Sequence, residues 1–140
     1  RNIKLEIASD LPTVLANRED LITIYYNLFD NAIKYLGDNK NPKIEVGWEE
    51  QKNFYVFWVK DNGIGVSKEF QEKVFDLFHR GSASRKIEGT GVGLAIVKRI
   101  VERHRGVIRL SSDIGKGSTV YFTLPKAERL ITQSNKKVVN

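Results

Sequence analysis

The chain has 140 residues, 41% of them hydrophobic and 29% charged, and it carries a formal net charge of +6. This length and composition predict one domain with a substantial core, and the lack of cysteine excludes disulfides and thiolate metal sites. No uncharged apolar run approaches the roughly 20 residues of a membrane span, while the positive charge suits an anionic ligand, an acidic partner or nucleic acid.

Predicted strands and helices then follow one another along the chain. A strand at about 3–7 precedes a helix at about 18–36, which Asn17 can cap while Asp20 reaches back toward the cap. Next come strands at about 43–50 and 54–60, a helix behind Ser67, a helix at about 92–105 that stops at Gly106, and a strand pair at 107–112 and 118–124 around a GKG turn. This order predicts an α+β fold, a two-layer α/β sandwich in which a mixed sheet carries helices on one face.

The chain boundaries suggest a fragment. The chain opens inside a strand pattern without an initiator methionine, so we expect it to be a piece of a longer protein. Residues 1–125 are predicted to form the domain, and residues 126–140 a polar, basic tail or linker. The absence of cysteine fits a cytoplasmic domain, whether or not the parent protein is anchored in a membrane.

The first predicted helix carries two lines of side chains. A core stripe and a polar line run along it, the first formed by Leu21, Tyr25, Leu28, Ala32 and Leu36 and the second by Asn27, Asn31 and Lys34. Asparagine inside a helix is unfavourable by up to about 0.7 kcal/mol relative to alanine. An amide oxygen suits Mg²⁺ and a lysine one turn later suits phosphate, although a solvated face explains the same line equally well.

The segment DNGIG at 61–65 follows a strongly apolar strand. Asp61 can accept a hydrogen bond from the exocyclic amine of adenine, and Gly63 and Gly65 would let a flat ring approach the backbone. A plain turn of this composition is the alternative interpretation.

A second glycine-bearing segment, GTGVGLAIVKRI at 89–100, leads into a helix. Exposed N–H groups at a helix N-terminus favour negative charge, so this segment suits phosphate. It matches neither the Walker pattern nor the Rossmann fingerprint.

Taken together, these segments resemble the catalytic, ATP-binding domain of sensor histidine kinases. This family belongs to a wider group with the gyrase B subunit, heat-shock chaperones and mismatch-repair ATPases. Five motifs stand in the family's order: NLFDNAIKY at 27–35, DNGIGV at 61–66, VFDLFHR at 74–80, GTGVGLAIV at 89–97 and GKGSTVYFTLP at 115–125. The resemblance covers about residues 3–125 and implies the Bergerat-type ATP-binding fold.

The resemblance implies a role for each matching residue. Asn31, helped by Asn27, would bind Mg²⁺, and Lys34 and Arg80 would contact the phosphates. Tyr35 would flank the adenine, and Asp61 would bind its amine beside Gly63 and Gly65. Thr119 would touch the adenine side with Asp61 and through water. The triphosphate would be wrapped by Gly89, Thr90, Gly91, Val92, Gly93 and Leu94, under a mobile lid at 79–90.

Asn27 favours a kinase over a hydrolase. Relatives that hydrolyse ATP carry a glutamate at the matching position as general base, and an amide cannot accept that proton. In histidine kinases the γ-phosphoryl goes to a histidine, followed by an acidic residue, on a separate helical dimerisation domain. No such pair occurs here, so we expect a chain that needs this missing domain as its phosphate acceptor and is inactive alone.

The resemblance also implies partners. The full-length kinase would pass the phosphoryl group to a response regulator, whereas the isolated chain should be monomeric and bind no nucleic acid. Two relatives of the same group remain as alternatives, a serine-directed kinase of the anti-sigma type and an ATP-hydrolysing clamp domain. A module that binds nucleic acid or only docks partners is the alternative outside enzymes.

Overall fold

A computed structural model describes residues 2–76 and 92–126 of the chain. In chain order, the elements are β1 (Lys4–Ile7), α1 (Arg18–Lys34), β2 (Lys43–Glu50), β3 (Phe54–Asp61), α2 (Lys68–Gln71), α3 (Gly93–Arg103), β4 (Ile108–Asp113) and β5 (Gly117–Pro125). The strands form a five-stranded sheet in the order β1-β2-β3-β5-β4. The β1–β2 pair is parallel and the other pairs are antiparallel.

The core lies between the helices and one face of this mixed sheet. Ile24 and Leu28 of α1 and Val97 and Val101 of α3 are fully or almost fully buried there, beside Phe122 of β5. The ring of Phe122 stacks on that of Phe57 at a centroid distance of 5.2 Å. The predicted α+β sandwich is therefore confirmed, because apolar positions two apart in the strands meet apolar positions three and four apart in the helices.

The core stripe predicted on α1 is correct but too narrow. Leu28, Ala32 and Leu36 are buried, and Leu21 and Tyr25 pack against the core. Ile24, which lay outside the predicted stripe, is completely buried. Because α1 contacts both β3 and α3, its apolar surface covers a wider arc than a single stripe.

Side chains near the ends of α1 and α3 stabilise these ends or link them to each other. The side-chain oxygen of Asn17 accepts hydrogen bonds from the N–H groups of Glu19 and Asp20, as expected for an N-cap. The carboxylate of Asp20 does not reach back as predicted, since it pairs with Arg103 at 3.2 Å and so links α1 to the end of α3. The sequence analysis placed the stop of the last helix at Gly106, whereas α3 ends at Arg103 and the residue with positive φ after it is Arg105, at 62°.

Candidate functional site

The loop after β3 packs tightly between two other backbone segments. The N–H of Ile64 donates to the carbonyl oxygen of Tyr35 over 2.8 Å, and a Cβ at Gly63 would lie only 1.9 Å from that oxygen. On the other side, a Cβ at Gly65, whose φ is +76°, would lie 2.2 Å from the carbonyl oxygen of Asp113. These backbone contacts alone require glycine at both positions, a reason that the sequence did not reveal.

Asp61 ends β3 inside the protein, with 5% of the residue exposed. Its Oδ1 accepts hydrogen bonds from the N–H groups of Gly63 at 2.9 Å and Ser118 at 3.3 Å. Burial disfavours the charged form and raises the pKa of Asp61 from 3.8 to about 6, although the two N–H donors act in the opposite direction. A buried carboxylate with a pKa shifted in this way is typical of a functional site.

Asn27 lies where α1 meets the start of α3. Its Nδ2 donates to the carbonyl oxygen of Thr23 over 2.8 Å, which fixes the orientation of the amide. The amide oxygen lies beside Gly93, since a Cβ at Gly93 would be 3.1 Å from it. Because Gly93 is the first residue of α3, the structure brings Asn27 to a helix N-terminus, where backbone N–H groups lack partners within the helix.

The other predicted residues of α1 have different surroundings. Asn31 is half-buried, one turn after Asn27 on the polar line. The ammonium group of Lys34 pairs with the carboxylate of Asp30 at 2.8 Å, a partner that the sequence analysis did not assign. Tyr35 follows the helix as its C-cap and is buried in the core.

The glycine-rich segment is described only from Val92 onward. Val92 precedes α3, Gly93 begins it, and Leu94 is buried in the core. Leu94 can therefore offer a ligand its backbone N–H but not its side chain. The remaining predicted residues of the lid and of this segment, Arg80, Gly89, Thr90 and Gly91, lie outside the described residues.

The structure does not bring Thr119 to Asp61. Thr119 is paired with Lys60 on one side and Ser111 on the other, and both of these residues are exposed on the face of the sheet away from the helices. Asp61 is paired with Ser118. Because successive side chains of a strand point to opposite faces, the side chain of Ser118, and not that of Thr119, shares the face of Asp61.

Ser118 is the residue that the sequence analysis missed. It is buried, its N–H donates to Asp61, and its hydroxyl lies 2.7 Å from that of Ser112. The alternation of Val120, Phe122 and Leu124, all buried, extends backward to Ser118 and could have identified it.

Two features are absent from residues 2–76 and 92–126. In these ranges no three or more His, Cys, Asp or Glu side chains cluster in a way that could hold a metal ion. No helix within them has the length and apolar character needed to cross a membrane.

Comparison with known sequences identifies close relatives. Residues 16–128 match the family described as histidine kinase-, DNA gyrase B- and HSP90-like ATPase. The chain is 47% identical over 125 residues to the methanogenesis regulatory histidine kinase FilI of Methanothrix harundinacea, an alignment that covers 89% of this chain and 14% of that protein. It is 42% identical over 113 residues to the sensor histidine kinase WalK of Bacillus subtilis, covering 79% of this chain and 18% of that protein. The chain thus spans less than a fifth of the length of these two relatives.

Solved structures show the same fold. The mycobacterial sensor histidine kinase MprB superposes with a TM-score of 0.78 at 26% identity, over 88% of this chain and 83% of that chain. The catalytic domain of the histidine kinase ThkA gives a TM-score of 0.74 at 29% identity, over 91% and 82%. Full-length ShkA in complex with AMPPNP gives 0.73 at 28% identity, over 89% of this chain and 25% of that chain.

Proposed function

The chain belongs to the histidine kinase-, DNA gyrase B- and HSP90-like ATPase family, as a catalytic domain of the sensor histidine kinase type, and we propose that it binds Mg-ATP for phosphoryl transfer. The acceptor of the γ-phosphoryl group is a histidine on a separate helical dimerisation domain of the full-length protein. That protein then phosphorylates a response regulator. The AMPPNP complex of ShkA supports ATP as the nucleotide.

One observation carries this proposal: Asn27 and the loop that binds Asp61 lie at two different points along α1. Asp61 lies beside the loop that packs on Tyr35 at the end of α1, and Asn27 lies beside the N-terminus of α3. Tyr35 is eight positions after Asn27 along the helix, which corresponds to about 12 Å at 1.5 Å per residue. A nucleotide can span such a distance, with its base at Asp61 and its phosphates at α3.

The base end suits adenine. A carboxylate accepts a hydrogen bond from the exocyclic amine of adenine, whereas the carbonyl oxygen at the same position of guanine would repel it. Ser118 replaces Thr119 in this proposal as the residue of β5 that assists Asp61, because it shares the face and the register of Asp61.

The phosphate end suits Mg²⁺. The amide oxygens of Asn27 and Asn31 are hard, neutral ligands, and the bond from Asn27 to Thr23 holds the first of them in a fixed orientation. Bound Mg²⁺ would neutralise phosphate charge, and Lys34, once it exchanges Asp30 for the nucleotide, would add to this effect. Arg80 and residues 89–91 keep their proposed phosphate roles from the sequence resemblance alone.

Asn27 supports phosphoryl transfer from ATP rather than ATP hydrolysis. Its amide nitrogen already donates to a carbonyl, and the amide oxygen cannot accept a proton from water at neutral pH. The domain therefore binds and positions ATP but does not activate water. We expect the isolated domain to be monomeric and cytoplasmic and to bind no nucleic acid.

The proposal is tested with ATP labelled at the γ-phosphate. The isolated chain should bind the nucleotide, release no phosphate above background and acquire no label. Adding the helical domain from the same full-length protein should transfer the label to that domain as acid-labile phosphate. Acid-stable label would indicate a hydroxyl acceptor, and steady hydrolysis by the isolated chain would contradict the assignment of Asn27.

A further inference from the structure

Ser112, near the end of β4, connects the two segments that enclose Asp61. Its hydroxyl accepts a hydrogen bond from the N–H of Val66 over 2.8 Å, in the loop that follows Asp61. The same hydroxyl donates to the carbonyl oxygen of Gly117 over 2.9 Å and lies 2.7 Å from the hydroxyl of Ser118. One side chain thus touches the loop after β3 and the start of β5.

The donors and acceptors of this cluster allow one complete arrangement. A serine hydroxyl has one proton to donate and two lone pairs that accept. The carbonyl of Gly117 can only accept, so it takes the proton of Ser112. The N–H of Val66 can only donate, so it uses one lone pair of Ser112. The bond between the two hydroxyls must then run from Ser118 to Ser112.

This arrangement fixes the polarity of Ser118. With its single proton committed to Ser112, the hydroxyl of Ser118 has only lone pairs left to offer to a ligand or a bridging water. The N–H of the same residue donates to Asp61, so it is satisfied as well. Acceptors on Ser118 and Asp61 together favour a purine with a donor, the exocyclic amine, and disfavour one with a carbonyl oxygen.

Gln71, the last residue of α2, holds Ser112 and the loop in this position. Its side-chain nitrogen donates to the carbonyl oxygens of Val66 at 2.8 Å and of Ser112 at 2.9 Å. The N–H of Gly115 also donates to the carbonyl oxygen of Ile64 over 2.8 Å. The hydrogen bonds of Ser112 therefore form between segments that other contacts already hold together.

We propose that Ser112 is a positioning residue for base selection: it orients the hydroxyl of Ser118 as an acceptor and so sets the preference for the adenine amine at Asp61. The inference rests on the proposed function, since it assumes that adenine binds there. Ser112 itself need not touch the nucleotide.

The test compares two nucleotides that differ in one group. A non-hydrolysable ATP analogue and the same triphosphate of purine riboside, which lacks the 6-amine, are titrated calorimetrically into the wild-type chain. A hydrogen bond to a charged group corresponds to about 10- to 100-fold in affinity, so the wild type should lose about that much without the amine. Ser112→Ala should lose several-fold less than the wild type, because Asp61 still accepts from the amine but the hydroxyl of Ser118 is no longer held as an acceptor.

The controls separate positioning from general damage. Ser111→Ala removes a hydroxyl from the adjacent exposed residue on the other face and should keep the wild-type ratio. Ser112→Thr retains the hydroxyl and should restore the ratio. A merely structural defect would weaken both nucleotides equally and leave the ratio unchanged, and that result would overturn the proposal.

Two further outcomes are distinguishable. If Ser112→Ala does not fold, Ser118→Ala decides instead: a reduced ratio supports the proposal and an unchanged ratio overturns it. If the wild type binds neither nucleotide, or both equally, the proposed function fails at Asp61, and the inference about Ser112 fails with it.

Discussion

Asp61 is a carboxylate that the fold buries although its ionised form is disfavoured there. Its pKa of about 6 in the folded protein lies above the ordinary 3.8, so between these values the folded state binds more protons than the unfolded chain. The free energy of unfolding therefore falls as the pH rises through this window. The contribution of this group is on the order of 3 kcal/mol, fully present below about pH 4 and lost above about pH 6.

Asp61→Asn should weaken nucleotide binding without lowering the stability of the domain. At pH 7.5 we expect the variant to be at least as stable as the wild type, whereas at pH 4 this advantage should vanish because the carboxyl of the wild type is then neutral. Its affinity for an ATP analogue should fall at least about tenfold, since the new amide sets a donor against the adenine amine. Urea unfolding at both pH values and calorimetric titration measure the two effects.

Asp113→Asn provides the control for this variant, because it neutralises an exposed carboxylate on β4, which β5 separates from the strand of Asp61. The affinity of the wild type should also decrease as the pH falls from 7.5 to 5, and the decrease should be smaller in Asp61→Asn. An equal loss of stability at both pH values in Asp61→Asn would contradict the account of its burial.

The ion-pair partner of Lys34 could not be predicted from the sequence motif. Its position on the polar line was predicted, but its pairing with Asp30 four residues earlier was not, because either charge could equally have faced solvent. Thr119 shows a different gap: the motif resemblance pointed to this strand, and only the register of β5 shows that Ser118 is the residue on the face of Asp61.

Asp30→Asn should strengthen nucleotide binding. The ion pair is partly exposed, so its disruption corresponds to about 0.2–1 kcal/mol, or up to about fivefold in affinity once Lys34 no longer has to leave a carboxylate. Glu19→Gln, at the opposite end of α1, is the matched control and should change little. Calorimetric titration of the ATP analogue at low salt measures the effect, and weaker binding by Asp30→Asn would argue against a phosphate role for Lys34.

At the scale of elements, the site depends on how closely the loop after β3 packs against its neighbours. Gly63→Ala should destabilise the domain by about 1–3 kcal/mol or more, because its Cβ would lie 1.9 Å from the carbonyl oxygen of Tyr35. Gly115→Ala is the matched control: no atom lies within 4 Å of its Cβ, although its φ of +82° still disfavours a side chain. It should cost only about 1 kcal/mol.

Chemical denaturation of both variants measures this difference. The loss in Gly63→Ala should be accompanied by weaker nucleotide binding, because the displaced loop carries the N–H that donates to Asp61. Equal stability of the two variants would show that the loop can move away from α1 without cost, and the tight packing would then not define the site.

At the scale of the whole molecule, the fold could be predicted from patterns and the site only in part. The alternating strands, the cap at Asn17 and the apolar faces of the helices each depend on local periodicity, and the sandwich follows from them. The contacts of Gly63 and Gly65 with distant backbone segments, like the Ser112 cluster, join residues far apart in sequence, and no local pattern reports them. Residues 77–91, which contain Arg80 and most of the glycine-rich segment, keep their predicted roles as proposals.

Calorimetric titration of a non-hydrolysable ATP analogue, with and without Mg²⁺, tests the central claim most directly. The wild type should bind, and bind more tightly with Mg²⁺, whereas Asn31→Ala should lose most of this Mg²⁺-dependent gain. Asn53→Ala changes an exposed asparagine in the turn just before β3, and this variant should behave as the wild type. If the wild type does not bind, or if Mg²⁺ strengthens Asn31→Ala as much as the wild type, the account of this domain as a Mg-ATP site centred on Asn31 and Asp61 is contradicted.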